Sequence, residues 1–139
     1  MYDKVFTVGC FDQFHKGHIK LIKTMKKYGK EIIVGLHDDK SIEYLKNLNN
    51  FHHDSLDKRL DNLKKHVDRV FIVSDKDPTI YLKAIINKND ISKSCYIRAN
   101  DMPNFPGRKF IEDEGIKIIL IPYTKGISAT QIRKKKFGL

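Results

Sequence analysis

Ten residues near the amino terminus, Gly9-Cys10-Phe11-Asp12-Gln13-Phe14-His15-Lys16-Gly17-His18, concentrate the groups best able to handle a phosphate. Gly9 lets a main chain approach a ligand closely, and a helix opening near Gly17 offers unpaired N–H groups and the positive end of its dipole to anionic oxygens. His15 and His18 flank that helix start, so both imidazoles can face one anion. Donating to an α-phosphate and its bridging oxygen, they would stabilise the charge that develops as phosphorus is attacked and pyrophosphate departs. Two histidines at this spacing also suit an ordinary solvated turn, and the segment alone leaves both readings open. A zinc site needs further ligands, and the only other histidine cluster is His52-His53, in an expected loop.

The elements that must position these residues alternate. Val5-Phe6-Thr7-Val8 reads as a buried strand, and Gly17 to Tyr28 as a helix with Ile19, Leu21, Ile22 and Met25 set against Lys20, Lys23, Lys26 and Lys27. Gly29 is expected to end that helix as a C′ residue. Further strands are Ile32–Leu36, Val70–Val73, Cys95–Ile97 and Ile118–Ile121. Between them lie helices over Asp57–Lys65, over Ile80–Ile86 with Asp77 as cap and Pro78 in the first turn, and over Arg108–Glu114. The polar stretch from Lys46 to His53 reads as the least ordered piece. Nearly continuous apolar strands separated by helices predict an α/β fold: a single domain over 1–139 with a doubly wound, five-stranded parallel sheet. Ligands of such sheets bind beyond the carboxyl ends of the strands, where residues 9–18 follow the first strand.

Composition bounds the rest. The chain has 139 residues and a formal net charge of +10, and 22 of its 27 cations are lysine. A 40% apolar fraction excludes a disordered chain. The basic balance fits an anionic partner or a surface of solvated lysines, and Lys134-Lys135-Lys136 reads as a helix end placed against the dipole rather than a nucleic-acid contact. No stretch approaches the roughly 18 apolar residues of a membrane span, and the start lacks a signal-peptide core. Cys10 and Cys95 show no Cys-x-x-Cys spacing, so reduced thiols and a cytoplasmic location are expected.

The segment at 9–18 resembles the Gly-Thr-Phe-Asp-x-x-His-x-Gly-His signature of the cytidylyltransferase-like nucleotidyltransferases, and within them the pattern of the glycerol-3-phosphate enzymes. Their second signature, Arg-Thr-x-Gly-Ile-Ser-Thr-Thr, is similar to Tyr123-Thr124-Lys125-Gly126-Ile127-Ser128-Ala129-Thr130. The resemblance implies a Rossmann-like fold, a homodimer, and transfer of a cytidylyl group from CTP, with Mg²⁺, to a phosphorylated small alcohol of the glycerol-3-phosphate, choline-phosphate or ethanolamine-phosphate kind. No nucleic-acid partner is implied.

Carried over residue by residue, the resemblance makes His15 and His18 catalytic, together with Lys46 as the lysine of the loop after the second strand. It assigns Gly9, Cys10, Phe11, Gly17, Arg59, Asp101, Tyr123, Ile127, Ser128 and Thr130 to the nucleotide. Asp12, Asp39 and Lys65 are expected at the acceptor. Ser128 with Gln131 also forms a capping box opening a last helix, whose first N–H groups could take β- and γ-phosphate oxygens. No metal-ligand set is expected from the protein.

Departures from the pattern bear on the substrate. Tyr123 and Ala129 stand where the family has arginine and threonine, leaving Lys125 or Arg133 as a less well-shaped phosphate clamp. Lys65-His66-Val67-Asp68-Arg69-Val70 resembles Arg-Tyr-Val-Asp-Glu-Val, so Lys65 replaces an arginine. Arg98-Ala99-Asn100-Asp101-Met102 stands where Gly-Asp-Asp-Trp is usual. These changes keep open an adenylyl transfer to a pantetheine-phosphate, mononucleotide or flavin acceptor, and a non-catalytic nucleotide-binding domain.

Overall fold

The computed structural model describes residues 1–46, 53–122 and 132. Five strands, β1 (Tyr2–Gly9), β2 (Gly29–His37), β3 (Arg69–Val73), β4 (Ser94–Ala99) and β5 (Lys117–Ile121), form one sheet in the order β3-β2-β1-β4-β5. Every neighbouring pair is parallel. The helices are α1 (Lys16–Tyr28), α2 (Asp39–Lys46), α3 (Leu56–Lys64), α4 (Thr79–Ile85) and α5 (Arg108–Asp113), with a 3₁₀ turn over Lys88–Lys93. The chain builds outward from β1 through β2 to β3, then returns to lay β4 on the other side of β1. That reversal opens a crevice at the carboxyl ends of β1 and β4.

Two apolar layers sandwich the sheet, as a doubly wound fold requires. On one face Ile22 and Met25 of α1 and Leu63 of α3 pack on Val5, Ile32, Val34, Leu36, Cys95 and Ile97. On the other, Leu82 of α4 and Ile111 of α5 pack on Phe6, Val8, Ile33, Val73 and Tyr96. The lysines on α1 at 20, 23, 26 and 27 are exposed, and the last two sit favourably at the negative end of its dipole.

Three local expectations are corrected. Gly29 does end α1, but as its C-cap rather than C′: its φ of −165° and ψ of 177° are extended, and β2 starts on it directly. Its need for a missing side chain is steric, since a Cβ there would lie 2.4 Å from Val5 Cγ2 and 2.7 Å from the Tyr2 carbonyl oxygen. Pro78 is the N-cap of α4 rather than its first residue, while Asp77 Oδ1 accepts from both Thr79 N–H and Thr79 Oγ1. Helix α2, for which the sequence reading made no provision, buries Ser41 and Ile42 beneath a polar surface. Its first turn is organised by Asp38 Oδ1, which accepts from Ser41 N–H at 2.8 Å.

Candidate functional site

At the carboxyl end of β1 the chain makes a tight turn in which Phe11 and Gln13 both have φ of 50°. Left-handed backbone costs such residues about 1–2 kcal/mol each. The buried Asp12 carboxylate between them holds the turn, its Oδ1 accepting from Gln13 N–H at 3.0 Å and from Asp54 N–H at 2.8 Å. The Phe11 ring folds back over Gly9, where an added Cβ would meet its Cε2 at 3.0 Å. Gly9 is thus required by the turn itself as well as suited to a ligand.

The turn delivers His15 and His18 to the start of α1. His15 is the N-cap, and its Nδ1 accepts from Gly17 N–H at 3.0 Å, while His15 N–H donates to His18 Nδ1 at 3.2 Å. The two rings stack with centroids 3.8 Å apart at 23°. Because both Nδ1 atoms accept from main-chain amides, each neutral imidazole carries its proton on Nε2. Burial lowers the pKa of His15. Burial, followed by the neighbouring His15, depresses that of His18 to about 3. Both rings are therefore neutral hydrogen-bond donors at neutral pH. Of the N–H groups at the helix start, that of Gly17 is taken by His15.

Arg59 differs most from its expected place. Its side chain is fully buried, and its guanidinium donates from Nε to the Asp54 carbonyl, from Nη1 to the carbonyls of Cys10 and His37, and from Nη2 to Asp39 Oδ1. Among the described residues, four of its five N–H groups are used. It fastens together the exits of β1 and β2, the start of α2 and the approach to α3. Asp39, expected at the acceptor, is this clamp's anionic partner at 2.9 Å and also lies 3.6 Å from His53 Nδ1. His53 Nε2 in turn lies 3.1 Å from Glu43 Oε1. Burial pulls the His53 pKa down, but the Asp54 carbonyl, Glu43 and Asp39 together raise it, against the Arg59 charge as well.

Cys10 is partly exposed at the crevice, Lys65 caps the C-terminus of α3 on the surface, and Asp101 is exposed in the turn after β4. Lys46 ends α2, with its side chain outside what is described. Tyr123, Ile127, Ser128 and Thr130 lie outside the described residues, as do the capping box, the lysine run and the loop at 47–52.

Two residues not assigned to the site from sequence occupy the same edge. Arg98 at the end of β4 reaches across to β1, where its Nη1 donates to the Val8 carbonyl at 2.9 Å, and its guanidinium lies 5.4 Å from the centre of the Phe105 ring. His37, the last residue of β2, is 5% exposed and its buried Nδ1 has no hydrogen-bond partner. Burial, then the charges of Arg98 and Arg59, push its pKa down to about 4 despite Asp38. No spacing signal marks His37, because its neighbours come from β3, β4 and α3. Beyond β2 and β3 a cleft of about 540 Å³ is lined by Lys40, Ser41, Ser74, Asp75 and Lys76. Among the described residues no three His, Cys, Asp or Glu side chains gather as a metal cage, and no helix is long and apolar enough to cross a membrane.

Residues 6–135 match the family model described as cytidylyltransferase-like. The glycerol-3-phosphate cytidylyltransferase of Bacillus spizizenii is 32% identical over 98% of this chain and 98% of its own length. The bifunctional protein HldE of Campylobacter fetus is 32% identical over 96% of this chain, which spans only 28% of that protein. Among solved structures, a lipopolysaccharide core biosynthesis protein from Thermoplasma volcanium superposes with a TM-score of 0.64 at 23% identity, covering 91% of this chain and all of that one. A bifunctional NMN adenylyltransferase/ADP ribose pyrophosphatase from Francisella tularensis gives 0.63 at 20% identity, covering 97% of this chain and 42% of that one.

Proposed function

Because this chain belongs to the cytidylyltransferase-like family and is a nucleotidyltransferase, we propose that it transfers a cytidylyl group from CTP to a phosphorylated small alcohol, releasing pyrophosphate. The observation that carries this reading is the stacked pair His15 and His18, whose Nδ1 atoms are both engaged by main-chain N–H groups at the start of α1. That pairing leaves the Nε2 protons as the ones each ring has to offer.

In the reaction an acceptor phosphate oxygen attacks the α-phosphorus of CTP in line. A new P–O bond forms, the bond from the α-phosphorus to the α,β-bridging oxygen breaks, and pyrophosphate leaves with the bonding electrons. His15 and His18 donate hydrogen bonds to the oxygens on which charge accumulates, and as neutral donors they need not give up a proton. The chain's contribution is positioning and charge stabilisation, with no covalent intermediate. Gly9, Cys10, Phe11 and Gly17 border the nucleotide in this reading, with Asp101, Tyr123, Ile127, Ser128 and Thr130 on its base and phosphate sides. Asp12 and Lys65 belong to the acceptor side, and Lys46, the last residue of α2 rather than a loop residue, is the catalytic lysine of this reading. Arg59 and Asp39 serve by holding the strand exits in register.

The described residues do not form a cage for Mg²⁺. Mg²⁺ would be held by the triphosphate rather than by a protein cage, and would supply charge neutralisation there. A homodimer and a cytoplasmic location complete the proposal, the latter in keeping with two cysteines that show no Cys-x-x-Cys spacing; light scattering on the purified chain reads the assembly directly.

A second reading, adenylyl transfer to a mononucleotide, pantetheine-phosphate or flavin acceptor, is favoured by one observation, the guanidinium of Arg98 held at the crevice between β1 and β4. Pyrophosphate release from CTP, ATP, GTP and UTP with Mg²⁺ against a panel of alcohol phosphates and these alternative acceptors separates the two. Release requiring CTP plus one alcohol phosphate supports the first, and ATP dependence overturns it.

A further inference from the structure

Four rings contributed by two distant parts of the chain form one continuous stack. His15 and His18 stack at 3.8 Å, His18 and Phe14 at 5.3 Å and 27°, and Phe14 and His66 at 5.3 Å and 22°. Phe11 closes on His18 at 5.1 Å and 47°. His66 is the last member and comes from the turn between α3 and β3, far from the histidine motif in sequence.

That turn is fixed on both sides of His66. Its N–H donates to the Leu63 carbonyl at 3.0 Å, and two residues later Asp68 exchanges bonds with Ile32 of β2. Asp68 N–H donates to the Ile32 carbonyl at 3.0 Å, and Ile32 N–H donates to Asp68 Oδ2 at 2.7 Å. Val67 between them packs on the core. The imidazole of His66 is therefore presented to Phe14 by a turn anchored to the central sheet, whereas Phe14 itself sits on a partly buried segment between the strained turn and α1.

We propose that His66 is a positioning residue for His18, acting through the ring of Phe14. Pressed between the two imidazoles, Phe14 holds the His18 plane in the orientation that lets its Nδ1 accept from His15 N–H and keeps water from its edge. The groups facing His18 are His15 from α1, Phe11 and Phe14 from the β1 exit, and His66 behind Phe14 from the α3 end. The depressed pKa of His18, caused first by burial, is the property that loosening the stack would change. This role rests on the reading of His18 as part of the triphosphate site.

The test compares the wild-type chain with His66→Ala and His66→Phe. Histidine nitrogen NMR reads the tautomer and titration of His18 without reference to turnover, and steady-state pyrophosphate release reads catalysis. In H66A the His18 titration moves up by about one pH unit, and kcat falls roughly ten- to a hundredfold with little change in KM. In H66F, which keeps a ring on Phe14, both return toward wild type. If H66A does not fold, His66→Gln, polar and non-aromatic, carries the same comparison. An unchanged His18 tautomer and titration in folded H66A or H66Q overturns the proposal, whatever happens to the melting temperature. A moved titration with unaltered turnover supports the positioning role and instead removes His18 from the reaction.

Discussion

The guanidinium of Arg59 and the carboxylate of Asp39 meet at 2.9 Å, the first fully buried and the second about half exposed, and this contact joins α3 to α2 across the exits of β1 and β2. The other Arg59 donors go to main-chain carbonyls, so the side chain is a cross-link among four segments.

Replacing Arg59 by Ala orphans three carbonyls and a carboxylate at once. The expected cost is about 3–5 kcal/mol, read as a lower urea midpoint. Arg59→Lys recovers little, because an ammonium cannot serve four directions as a planar fork does. Asp39→Asn is milder, since water reaches Asp39.

His18→Ala lowers kcat/KM for pyrophosphate release by roughly two to three orders of magnitude, with a melting temperature within a few degrees of wild type. The partly exposed ring contributes more to the reaction than to the core. A folded variant with unchanged turnover would remove the histidine pair from the mechanism.

Acid weakens the fold through His37. Its folded pKa, about 4, lies below the ordinary 6.5, so the unfolded chain binds the extra proton first. The stability contributed by neutral His37 is complete above pH 6.5 and is lost as pH falls toward 4, by on the order of 2–3 kcal/mol. His18, depressed to about 3, acts in the same direction. Urea midpoints measured from pH 7.5 to 4.5 decline in the wild type and decline less steeply in a His37→Gln variant.

Glycines at 29 and 115 respond oppositely. Gly29→Ala forces its Cβ against Val5 and the Tyr2 carbonyl and costs about 1–3 kcal/mol. Gly115 has φ of 80° with nothing near a Cβ, so Gly115→Asn, a residue that accepts left-handed backbone, is tolerated. Thermal unfolding of the two variants reads the contrast.

Residue types and their spacing carry whatever depends on neighbours along the chain. Apolar runs at Val5–Val8, Ile32–Leu36, Val70–Val73, Cys95–Ile97 and Ile118–Ile121 all fall within strands, and the period of Ile22 and Met25 marks the buried side of α1. The His-x-Gly-His spacing placed two imidazoles at a helix start, because i and i+3 adjoin on a helix whatever the rest of the fold does. Which side chains meet across elements follows instead from the packing of the sheet. The strand order sets the exits of β1 and β2 side by side, and that turns Arg59 inward onto Cys10, His37 and Asp39. The same packing lays His66 on Phe14 and leaves the buried His37 neutral. Residue spacing encodes contacts within an element, whereas these contacts span tens of residues and exist only once the sheet has brought the strand ends together.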